Sequence, residues 1–180
     1  MAIEALGPER CDALLRFFAA LPEGDLTFIR EEVHDPETVR SWASGSDAGG
    51  RWLSVEGDEV TGYVAVRPLP RWSDHVGEVR LVVAPDRRGS GLGRELARHA
   101  LVQAVGSGLT KLVVEVVAEQ GAALALFTDL GFTGEALLVD HIRDRNGDLR
   151  DLRVLAHHVR DTWAGMDPVG VADELASAGD

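Results

Sequence analysis

Val79-Arg80-Leu81-Val82-Val83-Ala84-Pro85-Asp86-Arg87-Arg88-Gly89-Ser90-Gly91-Leu92-Gly93-Arg94-Glu95-Leu96 is the stretch whose reading decides the fold. It reads as an apolar strand that stops at a proline, a glycine loop carrying arginines, and the first turns of a helix. Glycines at 89, 91 and 93 let the main chain adopt positive φ and leave no Cβ between it and a ligand. The N–H groups of such a loop and of the first helical turn lack intrahelical acceptors, and they sit at the positive end of the helix dipole. That combination is a site for an anion, most naturally a phosphate.

Three phosphate loops compete for this stretch. The nucleotide loop Gly-x-x-x-x-Gly-Lys followed by Ser or Thr fails, because no lysine follows these glycines. The dinucleotide fingerprint Gly-x-Gly-x-x-Gly fails in both registers, with Arg94 or Leu96 at the third glycine position, although Glu115 lies at a suitable distance downstream. Arg88-x-x-Gly91-x-Gly93, after the strand end Val83-Ala84-Pro85, resembles the acetyl-coenzyme A loop of the GNAT N-acetyltransferase superfamily. A second segment, Glu119-Gln120-Gly121-Ala122-Ala123-Leu124-Ala125-Leu126-Phe127-Thr128-Asp129-Leu130-Gly131-Phe132, is similar to the family's run of Asn, alanines, Leu-Tyr and Gly-Phe after a strand. It departs from that run at Gln120, where Asn is usual, and at Phe127, where tyrosine is. The resemblance covers roughly Leu53 to Val159.

The resemblance implies an α/β (α+β) fold: a GNAT-like mixed, mostly antiparallel central sheet flanked by helices in a single domain. It implies acetyl-coenzyme A, or another acyl-coenzyme A, as co-substrate, and no metal. Leu81, Val82 and Val83 on the strand and Arg88, Gly89, Ser90, Gly91, Leu92, Gly93 and Arg94 in the loop would hold that cofactor, with Gln120 hydrogen-bonded to it and Phe127 beside its thiol end. An amine would attack the thioester directly in a ternary complex, its oxygen polarised by a backbone N–H at Val82 or Val83. A lysine-like ammonium, with a pKa of about 10.4, needs a base or a desolvating pocket. The resemblance places Glu78 in that role, acting directly or through water. His75 is a second candidate, with His34 and His141 behind it. Phe127 cannot protonate the departing thiolate, which leaves open an acyl-coenzyme A sensor without turnover. Tyr63, the only tyrosine, reads as a core aromatic. Trp42, Trp52 and Trp72 read first as core and rim packing; of the three, Trp72 is the best placed to line an acceptor pocket, because its loop precedes the cofactor strand.

With 180 residues, 45% of them hydrophobic, the chain is expected to bury one core, over residues 1–160, with a tail at 161–180 that forms a short helix or a partly disordered end. A net charge of −12 opposes a nucleic-acid partner and favours a cationic acceptor, either a small amine or a protein lysine. A homodimer is compatible with this reading. The single cysteine, Cys11, excludes an internal disulfide and fits a reducing compartment. There is no secretion signal and no apolar run of about 20 residues, so a cytoplasmic protein with no membrane partner is expected. His157-His158 on one strand would face opposite sides and could not share a metal, leaving a surface role.

Strands are expected at Ala2–Leu6, Arg51–Glu56, Val60–Val66, Val76–Ala84, Lys111–Ala118, Ala136–Ile142 and Leu149–Val159. Helices are expected from Pro8 through Leu21, from Asp35-Pro36 to Trp42, from the glycine loop to Val105, and over Ala122–Leu130. Gly57-Asp58 and Asn146-Gly147 read as hairpin turns.

Overall fold

The computed structural model describes residues 2–26, 29, 31–45 and 49–159; the expected tail at 161–180 lies outside them. In chain order the elements are β1 (Ala2–Ala5), α1 (Cys11–Ala20), α2 (Glu23–Leu26), α3 (Pro36–Ala43), β2 (Gly50–Glu56), β3 (Glu59–Pro68), β4 (Val76–Val83), α4 (Leu92–Gly106), β5 (Lys111–Val117), α5 (Gly121–Asp129), β6 (Thr133–Arg143) and β7 (Leu149–His158). The strands form one sheet in the order β1-β2-β3-β4-β5-β7-β6. Every pairing is antiparallel except β4 with β5.

Each face of the sheet carries its own core. Val64, Val66, Val79, Leu112, Val114 and Val116 point to one side, where they meet Leu96, Ala100 and Leu101 of α4 and Phe127 of α5. Leu53, Val55, Tyr63 and Ala65 point to the other, against Leu14, Phe17 and Phe18 of α1 and Trp42 of α3. This is the period-two alternation of strands covered on both faces.

Local chemistry sets the boundaries. Pro8 opens a 3-10 turn over Pro8–Arg10 before α1 begins, so the first α-helix starts later than its proline suggests. Just after Pro22, beyond the expected end of the first helix at Leu21, the chain makes the short helix α2. Gly57, at φ +61°, and Asp58 make the tight β2–β3 turn. The β6–β7 connection is wider than an Asn-Gly turn. Asp144 accepts the N–H groups of Asn146 and Asp148 and pairs with Arg150 at 3.1 Å, so its side chain organises a five-residue loop in which Gly147 takes φ +90°.

Asp35 caps α3 by accepting the N–H of Thr38 at 3.0 Å and of Glu37 at 3.2 Å. The Thr38 hydroxyl and these two amides hold its carboxyl below the usual aspartate range. A depressed pKa means that this stabilisation is complete above the unfolded value of about 3.9 and is lost as pH falls through the folded one. Asp35→Ala is therefore expected to lower the melting temperature at neutral pH, and the gap to wild type to narrow as pH falls from the unfolded value through the lower folded one. A gap that persisted in acid would remove the cap from this account.

Candidate active site

β4 and β5 pair only from Val76↔Lys111 to Val79↔Val114 and then separate. A cavity of about 830 Å³ opens in the gap. Leu81, Val83, Val114 and Val116 line it from the α4/α5 face, while Phe18, Trp42, Tyr63 and Val82 line it from the α1/α3 face. The cavity thus passes through the sheet, and reactants arriving from opposite faces meet between the splayed strands.

The glycine loop forms one end. Gly89 and Gly91 adopt φ of +74° and +93°, and Gly91 is the N-cap of α4 without any side-chain cap. Among the described residues no acceptor meets the N–H groups of Gly89, Ser90, Gly91 or Gly93, and the three glycines line the cavity. This is the cradle of donors that a pyrophosphate requires. The Ser90 side chain and Leu92, both expected in the cofactor site, brace the loop. The Ser90 hydroxyl donates to the Arg87 carbonyl at 2.6 Å and accepts the Leu92 N–H at 3.4 Å, while the Leu92 side chain is buried in the core. Arg88 and Arg94 line the cavity, but neither is a bare phosphate ligand. Arg88 is bound to the Asp25 carboxylate and donates to the Val83 carbonyl at 3.3 Å; Arg94 pairs with Asp129 at 2.6 Å. Gln120 accepts the Val117 N–H at 3.4 Å through Oε1, which leaves its amide N–H₂ to donate. Phe127 is buried edge-on to Phe132 at 5.2 Å and walls the cavity.

Amide direction in the gap follows from one hydrogen bond. The Ala84 N–H donates to the Thr61 carbonyl at 3.0 Å, toward β3. In the register that sets Val82 opposite Tyr63, alternation turns the Val82 N–H toward β3 as well. Leu81 and Val83 then direct theirs toward β5, where the ladder has ended. Of Val82 and Val83, it is Val83 whose N–H faces the gap, and Val82 contributes a side chain to the opposite face.

On that face Glu78, Arg80 and Val82 follow one another. Glu78 is tied to Arg80 at 2.8 Å and is not among the residues lining the cavity, so the geometry does not support it as the group that meets the amine. The carboxylates that do line this half are Glu31 and Glu115, with Asp25 at the loop. Glu31 was missed because nothing in its neighbourhood marks it; Glu115 is the one charge interrupting the apolar run of β5. Tyr63 stacks on Trp42 at 6.0 Å, and burial pushes its phenol up to about 12 despite the nearby Arg51 charge and hydrogen bond. His34, His75 and His141 lie outside the cavity lining. So does Trp72, which is 89% exposed, whereas Trp42 forms part of the wall. His157 is not on the surface as expected. It is buried, with Nδ1 at 3.1 Å from the Gly131 carbonyl, and only His158 faces out, beside Glu135. No helix among the described residues is long and apolar enough to cross a membrane.

Comparison with known proteins bears on the family and the fold. The chain is 32% identical over 132 residues to N-acetyltransferase 8F1 of Rattus norvegicus, which is 69% of this chain and 58% of that protein. It is 37% identical over 117 residues to a mycothiol acetyltransferase of Amycolatopsis mediterranei, 62% of this chain and 37% of that one. The chain thus spans little more than half the length of the first relative and about a third of the second. Its fold superposes on yncA of Salmonella typhimurium, solved with its cofactor acetyl-CoA, with a TM-score of 0.77 at 20% identity over 88% of this chain and 94% of that one. The Acetyltransferase (GNAT) family model matches residues 15–132, well over half of the sequence, and the chain belongs to that family.

Proposed function

We propose that the protein is an acetyl-coenzyme A-dependent N-acetyltransferase that passes the acetyl group directly to a primary amine, on a small molecule or a protein lysine. The observation that carries this reading is the continuous cavity crossing the sheet, with loop amides that meet no acceptor among the described residues at one end and carboxylates at the other. Bound acetyl-coenzyme A supplies an activated thioester. The amides of Gly89, Gly91 and Gly93 hold its pyrophosphate, and the Val83 N–H donates to the thioester oxygen as charge builds there. The amine nitrogen bonds to the acetyl carbon as the carbon–sulfur bond breaks; its proton passes to the carboxylates of the α1/α3 half, and the thiolate takes one from water. Thiol release with a panel of amines, after calorimetry with acetyl-coenzyme A, tests the whole sequence. Binding without release for any amine favours the second reading, an acyl-coenzyme A sensor, which the absent hydroxyl at Phe127 motivates.

Glu78 enters this scheme by fixing Arg80 rather than by taking the amine's proton. Glu78→Gln is expected to keep turnover within about tenfold of wild type at neutral pH, against a loss of roughly 10²–10⁴-fold when a general base is removed. A loss in the larger range that shrank as pH rose would return Glu78 to the base role.

A further inference from the structure

We propose that the phosphate end of the cavity is autoinhibited by two of its own carboxylates: Asp25 and Asp129 occupy Arg88 and Arg94 until the cofactor's phosphates displace them, which shuts out simple anions. This rests on the transferase reading of the cavity. The glycine loop and the turns beside it bring three arginines together, and each meets a carboxylate from elsewhere in the chain. Arg88 is bound to Asp25 of α2, Arg94 to Asp129 of α5 at 2.6 Å, and Arg87 to Glu56 of β2 at 2.6 Å. Two of these pairs belong to the cavity. Arg88, Asp25, Arg94 and Asp129 all line it, whereas Arg87 and Glu56 do not. The two aspartates therefore stand where an anionic ligand of the loop has to come.

A carboxylate and a phosphate make the same demand on a guanidinium, whose planar fork accepts either. On Arg88 and Arg94, Asp25 and Asp129 cancel the positive charge that this end would otherwise present, in a chain whose net charge of −12 already repels anions. Both pairs are partly exposed, with 48% and 44% of the arginine side chains open to solvent. Water and salt weaken such pairs, so they hold their arginines without locking them. A pyrophosphate that engages the loop amides and the arginines together displaces the carboxylates, because each contact raises the effective concentration for the next. A lone phosphate makes fewer of these contacts at once and meets the full competition. The aspartates thus act against the wrong anion more than against the right one.

The experiment measures the Kd for acetyl-coenzyme A by calorimetry in wild type, Asp25→Asn, Asp129→Asn, the double variant and Glu56→Gln. Each single aspartate variant is expected to bind about threefold tighter than wild type, and the double variant about tenfold tighter. Glu56→Gln removes the same charge from a pair outside the cavity and should leave Kd unchanged. In an Arg88→Gln background, Asp25→Asn should lose its effect, because the contact it relieves is already gone. Millimolar inorganic phosphate should raise the apparent Kd in the double variant and leave wild type unaffected. Unchanged or weaker binding in both aspartate variants overturns the proposal, since the carboxylates would then brace the arginines rather than compete for them. Equal tightening in Glu56→Gln overturns it too, by reducing the effect to net charge. So does phosphate that competes as well in wild type as in the double variant. Failure of wild type to bind acetyl-coenzyme A at all brings down the transferase reading itself and this inference with it.

Discussion

Gly91→Val is expected to give a folded protein that no longer binds acetyl-coenzyme A measurably. A Cβ at Gly91 would meet no atom within 4 Å, so the substitution causes no clash. The harm is conformational, because Gly91 sits at φ +93° and a β-branched residue there is strained. Relief of that strain, of order 1–3 kcal/mol, means turning the peptide planes on either side of Gly91 and so re-aiming the amides of the cradle. Losing two hydrogen bonds to a charged phosphate, at about 1.5–3 kcal/mol each, weakens binding by at least roughly 10²-fold. Gly108→Val is the control. Gly108 also has positive φ, +81°, and open space around it, but it lies past the other end of the 15-residue α4. It should lose comparable stability and keep its affinity. Calorimetry that found wild-type affinity in a folded Gly91→Val protein would sink the assignment of the loop.

Phe127 separates two questions in one position. Phe127→Ala empties a site that is 3% exposed and packed on Phe132, and should cost about 3–5 kcal/mol in denaturant titrations. Phe127→Tyr keeps the ring and adds the hydroxyl that the family segment usually carries. Coenzyme A thiolate leaves readily, so little rate is to be gained, and an unpaired buried hydroxyl costs about 1–3 kcal/mol. Turnover within a few-fold of wild type is the expected result. A hundredfold gain in the tyrosine variant would mean that the natural chain lacks its acid, and the sensor reading would then replace the enzyme.

The two ends of the cavity differed in how far they could be read from sequence. The cofactor end lies in one contiguous stretch, where a strand, a proline, three glycines and a helix start each carry a local signal. The other end is assembled from Phe18, Glu31, Trp42, Tyr63 and Arg80, which are separated along the chain and share no spacing. The packing of α1 and α3 on the sheet, together with the β3–β4 register, brings them together, so position in the sequence singled out Trp72 among the tryptophans while Trp42 forms part of the wall. The same limit applies on a finer scale to Val82 and Val83. Amide direction reverses at each residue, and the bond from Ala84 to Thr61 that fixes the phase belongs to another strand. Asp144 and His157 make the point again: each acts through backbone groups that its neighbours in sequence do not reveal until the chain has turned.

The short ladder between β4 and β5 has a mechanical consequence. It divides the sheet into two antiparallel blocks, β1 to β4 and β5 with β7 and β6, each densely bonded within itself. Parallel pairing is slightly the weaker kind per residue, and here it extends over few residues. Within the sheet's interior the seam is therefore the line along which a small opening disturbs the fewest ladder bonds. Admitting reactants of different thickness then needs no separate hinge: the sheet yields along the same line that the cavity already follows.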